Sequence, residues 1–347
     1  YHDMGLMGGI LYPLLCGGVS FQMSPFDFVR RPGVWLSVID EARATFSGGP
    51  AFAFAEVIRR VSPDEIAALD LSCWRRAFCG AEPVPPRLLD DFHAHLAPSG
   101  LPRAAVFACY GIAEMTLFAA GRPDDAKLGT SGSEHSESCL LDEETGAGVS
   151  IVDPETGVEM PEGQEGEIWL RGPSQGLGYL NLPEETDQRF RQRRAGETAD
   201  AWLRTGDLGR VSHGRLFITG RLKDVLICQG RKLSAPEVEW LACAAHEGLN
   251  PMAAVAFMPD PNVSGRAVLV AETHRGALAP EDASDLKRKI RQSVLGEWGL
   301  ELTDILFVPR GRLDRTTSGK IRRQAVAAAY RDGRLTTSAE EEGEPWQ

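Results

Sequence analysis

The residue pattern of this chain changes twice, near Val149 and again near Arg221, and those changes limit the folds it can adopt. Before Val149, apolar runs alternate with helical patterns, which is typical of a layered α/β domain. Between the changes, short strand-like pieces separated by turn residues predict a small β subdomain. After Arg221, mixed strands and amphipathic helices predict a compact α+β domain. The predicted segments are 1–148, 149–220, 221–335 and an acidic, disordered tail at 336–347.

One helix of the C-terminal domain is predicted in more detail. Over residues 280–298, Leu286, Ile290, Val294 and Leu295 are expected to lie on one side of the helix, facing the core. The other side carries a group of basic residues, namely Lys287, Arg288, Lys289 and Arg291.

The composition argues against several classes of function. Hydrophobic residues make up 43% of the chain and charged residues 25%, which are ordinary values for globular domains with a sizeable core. The net charge of −12 disfavours broad binding to nucleic acid or to anionic lipid, since both need a basic surface. No apolar stretch is long enough to predict a membrane span.

The cysteines and histidines predict neither disulfides nor a zinc site. The seven cysteines form no CxxC motif, and most lie in apolar runs, as Cys109 does. We interpret them as buried, reduced thiols of a cytoplasmic protein. The histidines are scattered, with no HExxH motif or Cys/His cluster.

Tyr110 and Glu114 follow a short apolar run at 104–109, which predicts a buried strand that ends in a loop. Ligands bind at strand ends in α/β sheets. There the Tyr ring can stack on a purine, and the Glu can reach a metal ion on phosphates. A core Tyr beside a Glu that begins a helix is the alternative.

Two motifs lie near the second change of pattern. Asp207, in the Thr-Gly-Asp of residues 205–207, can accept hydrogen bonds from both hydroxyls of a ribose, and an Asx turn is the alternative. Arg221 can bond a ribose or phosphate oxygen, and Lys223 lies where a hinge between domains would be needed. A solvated linker is the alternative there.

The last motif surrounds Lys320, a lone lysine in a small loop with Gly319. Its ammonium can neutralise negative charge that develops on a transferring group. The basic start of a helix is the alternative.

The order and spacing of these four motifs resemble the adenylate-forming superfamily of acyl-CoA synthetases, peptide-synthetase adenylation domains and luciferases. The resemblance extends from His2 to about Arg323, and it implies a mobile C-terminal domain. The roles it implies are adenine stacking for Tyr110 beside Gly111, Mg²⁺ association for Glu114, ribose binding for Asp207, nucleotide binding for Arg221, the hinge for Lys223 and catalysis for Lys320.

Within the superfamily, the chain is most similar to fatty acyl-AMP ligases. The similarity rests on YHDMGL at 1–6, SGGP at 47–50, LDLSCWR at 69–75, CGAEPV at 79–84 and YGIAEMTL at 110–117. It implies an adenine-lining loop formed by Gly80, Ala81, Glu82 and Pro83. It also implies an acyl pocket that includes His2, Asp3, Gly48 and Gly49.

The resemblance implies a two-step reaction that uses ATP and Mg²⁺. A fatty acid is activated to acyl-AMP, and the acyl group then passes to the phosphopantetheine thiol of an acyl carrier protein. Because carrier proteins are usually acidic, we predict that they dock on the basic side of helix 280–298, with a merely solvated face as the alternative. An acyl-CoA synthetase, and a non-catalytic fragment that binds an acyl-adenylate or a carrier protein, are alternative functions.

Two departures from the family pattern bear on these alternatives. The family's Ser/Thr/Gly-rich loop around the β- and γ-phosphates is absent from the sequence, and we expect it upstream of Tyr1, so that this chain is a fragment with doubtful activity alone. Residues 121–148 are also short beside the insertion that disfavours coenzyme A in the family. The acceptor, carrier protein or coenzyme A, is therefore left open.

Overall fold

The computed structural model describes residues 2–81, 84–85, 87–122, 138–141, 148–198, 201–246, 248–260, 263–273, 280–315 and 321–335. The chain divides into two compact units, 1–219 and 220–347. In the ranges given, no helix is both long and apolar enough to cross a bilayer. The predicted tail at 336–347 lies outside the described residues.

The first unit contains a three-stranded parallel sheet in the order β1-β2-β3, and helices flank its strands along the chain. The chain begins with a π-helical segment at Met4–Leu11. The elements that follow are α1 (Tyr12–Leu15), α2 (Pro25–Arg30), α3 (Gly33–Glu41), β1 (Phe46–Gly49), α4 (Ala51–Arg60), α5 (Pro63–Ala67), β2 (Arg76–Cys79), α6 (Leu88–Leu96) and β3 (Val106–Ala108).

An aromatic cluster fills the core beside this sheet. Trp74 is fully buried, and its ring lies edge-on to that of Trp35, with 5.2 Å between the centroids. Phe54 of α4 and Phe92 of α6 complete the cluster, with their ring centroids 4.4 Å apart. Such edge-to-face and tilted pairs stabilise beyond the area that they bury, so the cluster fixes the helices against the strands.

A hairpin and a second sheet complete the first unit. The hairpin joins β4 (Tyr110–Gly111) to β5 (Phe118–Ala120) through a 3₁₀ turn at Ala113–Met115. The second sheet has five strands in the order β6-β10-β9-β8-β7. Its elements are β6 (Ser138–Leu140), β7 (Gly148–Val152), β8 (Gly166–Arg171), α7 (Pro183–Phe190), β9 (Leu203–Ser212) and β10 (Arg215–Arg221).

The second unit has a hairpin followed by a three-stranded sheet, β13-β14-β15, with helices on both faces. Alternate residues of its strands point to opposite faces. Ala254 and Ala256 therefore share a core with α8 and α9, whereas Val255 and Phe257 share one with α10. The elements are β11 (Val225–Cys228), β12 (Arg231–Ser234), α8 (Ala235–Cys243), β13 (Leu249–Phe257), β14 (Arg266–Thr273), α9 (Pro280–Trp298), β15 (Glu301–Pro309) and α10 (Arg323–Arg331).

The buried face of α9 differs from the prediction at one position. Leu286, Ile290 and Val294 are buried as predicted, but Leu295 is 54% exposed. A helix turns by about 100° per residue, so Leu295 points away from the stripe that Val294 completes. The mixed α/β fold that the sequence predicts is confirmed.

Candidate nucleotide-binding site

Tyr110 and Asp207 meet in the first unit although 97 positions separate them in the sequence. The Tyr110 hydroxyl donates a hydrogen bond to Oδ2 of Asp207 at 2.7 Å, and both side chains are buried. Tyr110 begins β4, directly beyond the end of β3, and Asp207 lies within β9. The fold thus joins two residues that the sequence predicted to bind the same nucleotide.

Residues 205–207 interrupt the pairing of β9 with β8. Glu167 pairs with Leu208, and Trp169 pairs with Arg204. Three residues of β9 therefore lie opposite Ile168 alone. Bulges of this kind redirect side chains and occur beside active sites.

At this bulge, hydrogen bonds with side chains replace the regular backbone hydrogen bonds between the strands. Gly206, which has a positive φ of 75°, donates its backbone N–H to Oε1 of Glu167 at 3.0 Å. The Thr205 hydroxyl donates to the carbonyl of Ile168 at 2.6 Å and accepts the N–H of Asp207 at 3.0 Å. The backbone that carries Asp207 is thereby fixed on both sides.

Glu114 lies on the 3₁₀ turn between β4 and β5. The Tyr179 hydroxyl donates to Oε1 of Glu114 at 2.5 Å, and Nη1 of Arg189 lies 3.7 Å from the same oxygen. Burial, followed by the hydrogen bond and charge of Glu114, raises the pKa of Tyr179 above its ordinary value. The phenol therefore stays protonated and donates to the carboxylate.

Tyr179 and Arg189 were not predicted from the sequence. Tyr179 lies in an irregular segment and Arg189 on the short helix α7, where charged residues are common, so neither carries a pattern that marks it. Nη1 of Arg189 also donates to the Thr205 carbonyl at 3.5 Å. Arg189 thus connects Glu114 with the segment that bears Asp207.

The loop after β2 crosses the chain next to Tyr110. A Cβ on Gly80 would lie 2.5 Å from the carbonyl oxygen of Cys109, so this close crossing needs glycine. Ala81 has a left-handed φ of 72°, and the predicted adenine-loop residues Glu82 and Pro83 lie outside the described residues. A Cβ on Gly111 would lie 1.9 Å from the Leu117 carbonyl, which requires glycine there too.

Cys109, adjacent to Tyr110, does not have the character of a nucleophile. Burial raises the pKa of its thiol to about 12. The thiolate is the reactive form of cysteine, so Cys109 contributes packing near the site.

The four residues predicted to line an acyl pocket have local structural roles. Nδ1 of His2 lies 2.6 Å from Oδ1 of Asp3, and that oxygen caps the π-helical segment by accepting the N–H of Met4 at 2.8 Å. A Cβ on Gly48 would lie 2.1 Å from the Phe78 carbonyl, and one on Gly49 would contact Ala53 at 3.5 Å. The acyl pocket stays a prediction.

The remaining predicted residues lie after residue 219, where the second unit begins within the last residues of β10. Arg221 ends β10 and is exposed, and Lys223 is exposed on a 3₁₀ turn at Leu222–Asp224. Lys320 lies outside the described residues. The roles predicted for these three residues stay predictions.

Chemically, the arrangement in the first unit suits a ribonucleotide. A carboxylate can accept about four hydrogen bonds, so Asp207 can bond ribose hydroxyls in addition to Tyr110. Arg189 connects this carboxylate's segment with Glu114, a second acidic group. Mg²⁺ commonly binds one or two protein carboxylates together with substrate phosphates, which fits Glu114.

Known proteins resemble the chain along nearly its whole length. A family model described as AMP-binding enzyme matches residues 1–180, which is more than half of the 347 residues. A medium-chain-fatty-acid–[acyl-carrier-protein] ligase from Moorena producens is 34% identical, over 96% of this chain and 60% of its own length. A long-chain-fatty-acid–AMP ligase from Mycobacterium marinum is 35% identical, over 95% of this chain and 60% of its own length.

A solved structure shows the same likeness in three dimensions. It comes from structural and functional studies of fatty acyl-adenylate ligases from E. coli and L. pneumophila. Its TM-score is 0.79 at 26% identity, over 96% of this chain and 61% of that one. The chain spans about 60% of the length of these relatives.

Proposed function

This chain belongs to the AMP-binding family of adenylate-forming enzymes, with fatty acyl-AMP ligases among its relatives, and from that premise we propose that it binds a fatty acyl-adenylate. The observation that carries the proposal is the buried hydrogen bond between Tyr110 and Asp207. It fixes an aromatic ring and a carboxylate side by side, as adenine and its ribose require.

In the proposed complex, the Tyr110 ring stacks on adenine while its hydroxyl orients Asp207. Asp207 accepts hydrogen bonds from the ribose hydroxyls, and Glu114 faces the phosphates. Bound Mg²⁺ would neutralise phosphate charge at Glu114. Arg189 lies 3.7 Å from Oε1 of Glu114, so a cation that binds this oxygen would compete with the guanidinium.

In the activation step we propose, a carboxylate oxygen of the fatty acid attacks the α-phosphorus of ATP. The new P–O bond gives acyl-AMP, and the bond to the β-phosphate breaks and releases pyrophosphate. Lys320 balances the negative charge that grows in this step, Arg221 binds the nucleotide and Lys223 is the hinge. Protein groups act in such transfers by positioning and charge stabilisation.

We propose an acyl carrier protein as the acceptor of the acyl group. One relative's name includes this partner, and the described structure adds an exposed basic pair on α9, Arg288 and Lys289. Arg288 also forms an exposed ion pair with Asp285 of the same helix at 3.1 Å, and the other two basic residues contact other elements of the unit. Lys287 lies 5.7 Å from the centre of the Phe307 ring, and Arg291 donates to the carbonyl of Leu302. Coenzyme A is the alternative acceptor.

Binding of a hydrolysis-resistant dodecanoyl-adenylate, with a sulfamate in place of the phosphate, tests the proposal by calorimetry. Asp207→Asn keeps an oxygen for the Tyr110 hydroxyl but removes the charge. We expect affinity to fall roughly tenfold to a hundredfold, because two hydrogen bonds to a charged acceptor each weaken by about 1 kcal/mol.

Asp153→Asn is the matched control. Oδ1 of Asp153 accepts the backbone N–H groups of Glu155 and Thr156, which is an Asx turn that asparagine also forms. This variant should bind as the wild type does. The proposal is wrong if the wild-type chain does not bind the adenylate, or if Asp207→Asn binds it with unchanged affinity.

A further inference from the structure

Glu167 is a buried carboxylate on β8 that the sequence analysis did not single out. Its side chain is 2% exposed. Oε2 accepts the indole N–H of Trp169 at 2.9 Å and Nε of Arg204 at 2.8 Å. Oε1 accepts the backbone N–H of Gly206 at 3.0 Å. A carboxylate is costly to bury unless it is paired and hydrogen-bonded, and these three donors satisfy that condition.

We propose that Glu167 is a positioning residue of the nucleotide site, which aims Asp207 at the ribose by holding the backbone of Gly206. The inference rests on the proposed function, since it presumes that Asp207 binds ribose. Glu167 itself contacts no ligand in this proposal. It acts through the bulge at 205–207.

The geometry of the bulge explains why a side chain is needed there. Because three residues of β9 lie opposite Ile168 alone, the regular ladder cannot pair all of their backbone groups. Glu167 accepts the N–H of Gly206 and Thr205 accepts that of Asp207. Buried backbone donors without partners are costly, so these two acceptors define the position from which the Asp207 side chain leaves the strand.

Trp169 and Arg204 fix the position of the Glu167 carboxylate. The Arg204 guanidinium lies 5.5 Å from the centre of the Trp169 ring, and both donate to Oε2. With this oxygen held by two side chains, Oε1 has a defined position from which to accept the N–H of Gly206. The position of Gly206 is thus set by the packed interior of the sheet.

Glu197 offers a matched comparison in the same unit. It accepts the indole N–H of Trp202 at 2.8 Å and an N–H of Arg194 at 2.5 Å, which are the same two kinds of side-chain donor. Its bonds to these side chains do not involve the backbone of 205–207. Glu167→Gln and Glu197→Gln therefore each remove an ion pair with an arginine, but only the first changes an acceptor of Gly206.

The test measures how much more tightly the 347-residue chain binds a ligand with ribose hydroxyls than one without them. Affinity is determined for the hydrolysis-resistant dodecanoyl-adenylate and for the same compound without its two ribose hydroxyls. Wild type should prefer the hydroxylated compound roughly tenfold or more, because the hydroxyls bond a charged acceptor. Glu167→Gln should bring this ratio close to one, whereas Glu197→Gln should keep it.

A merely stabilising role would lower the unfolding temperature in both variants and leave the ratio unchanged. Glu167→Asp is the second variant, used where the Gln variant does not fold. It keeps the charge for Arg204 but is one methylene too short to hold Gly206 as before, so it should also lower the ratio.

The outcomes separate the two proposals. The positioning role is wrong if a folded Glu167 variant prefers the hydroxylated compound as strongly as wild type does, while Asp207→Asn has lost this preference. If wild type shows no preference for the hydroxyls, or Asp207→Asn retains it, the proposed function itself is wrong.

Discussion

Replacing Arg323 by methionine should destabilise the second unit strongly. The Arg323 guanidinium forms an ion pair with Glu239 of α8, and it also donates to the carbonyl of Ala256 on β13 at 2.8 Å. Glu239 in turn accepts the N–H of Ala256 at 2.6 Å. Asp224 lies 3.6 Å from the same guanidinium. One cation therefore connects α10, α8 and β13.

The magnitude follows from the burial of this group. Arg323 is 17% exposed and Glu239 6%. Burial lowers the pKa of Arg323, but the charges of Glu239 and Asp224 outweigh it and raise that pKa above its ordinary value, so the side chain stays charged. Removing one partner leaves a buried carboxylate uncompensated, which costs about 3–5 kcal/mol.

Two further variants sharpen the expectation. Arg266→Met removes the pair with Glu301, in which both side chains are more than half exposed, and such pairs contribute only about 0–1 kcal/mol. Adding Glu239→Gln to Arg323→Met removes the uncompensated charge but keeps an acceptor for Ala256. The double variant should therefore recover part of the lost stability, a coupling that a double-mutant cycle measures.

The assay must report on the second unit alone, because chains with two units need not unfold in one transition. Hydrogen exchange in peptides from β14, the central strand of the sheet, meets this need, since central strands exchange through large openings. Arg323→Met should reduce their protection by two or more orders of magnitude, as about 3 kcal/mol requires. If it lowers protection no more than Arg266→Met does, the buried pair does not support the unit as argued.

Two shorter predictions concern charge. Hydrogen bonds from Arg194 and Trp202 lower the pKa of Glu197 from its usual 4.5 to about 2, so its stabilising effect is complete above 4.5 and is lost as the pH falls towards 2. The melting temperature of the first unit should thus fall more steeply over that range in wild type than in Glu197→Gln, and equal slopes would contradict this. Reversing the charges of Arg288 and Lys289 should slow acyl transfer from supplied dodecanoyl-AMP to carrier protein at low salt, because exposed charges steer an acidic partner. Transfer to coenzyme A should be unchanged. The effect should be measured at low salt, since salt screens exposed charges. Equal rates with wild type would exclude α9 as the docking face.

Local patterns predicted the regular elements well where burial followed a simple period. The buried strand predicted at 104–109 is confirmed as the shorter β3, and the helix predicted at 280–298 is confirmed as α9. The prediction that Leu295 faces the core was wrong, because the hydrophobic pattern locates the edge of a buried helix face only to within about one residue. Hydrophobic periodicity therefore predicts where a helix or strand lies better than it predicts which residues at the edge of its buried face are exposed.

Glu167 shows why the rest could not be predicted. Its neighbours in β8 are buried on both faces, so the five residues Gly166–Leu170 are all buried, and no alternation marks the charged one as special. What stabilises the carboxylate is contributed largely by β9, through Arg204 and Gly206. A long-range contact of this kind has no signature in the spacing of residues along one strand.

The Tyr110–Asp207 bond changes the interpretation of both motifs. From the sequence, each had a local alternative, a core tyrosine and an Asx turn, and each alternative was reasonable alone. In the fold, the tyrosine is indeed in the core, yet its hydroxyl reaches the aspartate at 2.7 Å. A buried phenol needs a hydrogen-bond partner, and a carboxylate aimed at a ligand needs a fixed orientation. One bond meets both requirements, so burial of Tyr110 supports the proposed ribose site and is no argument against it.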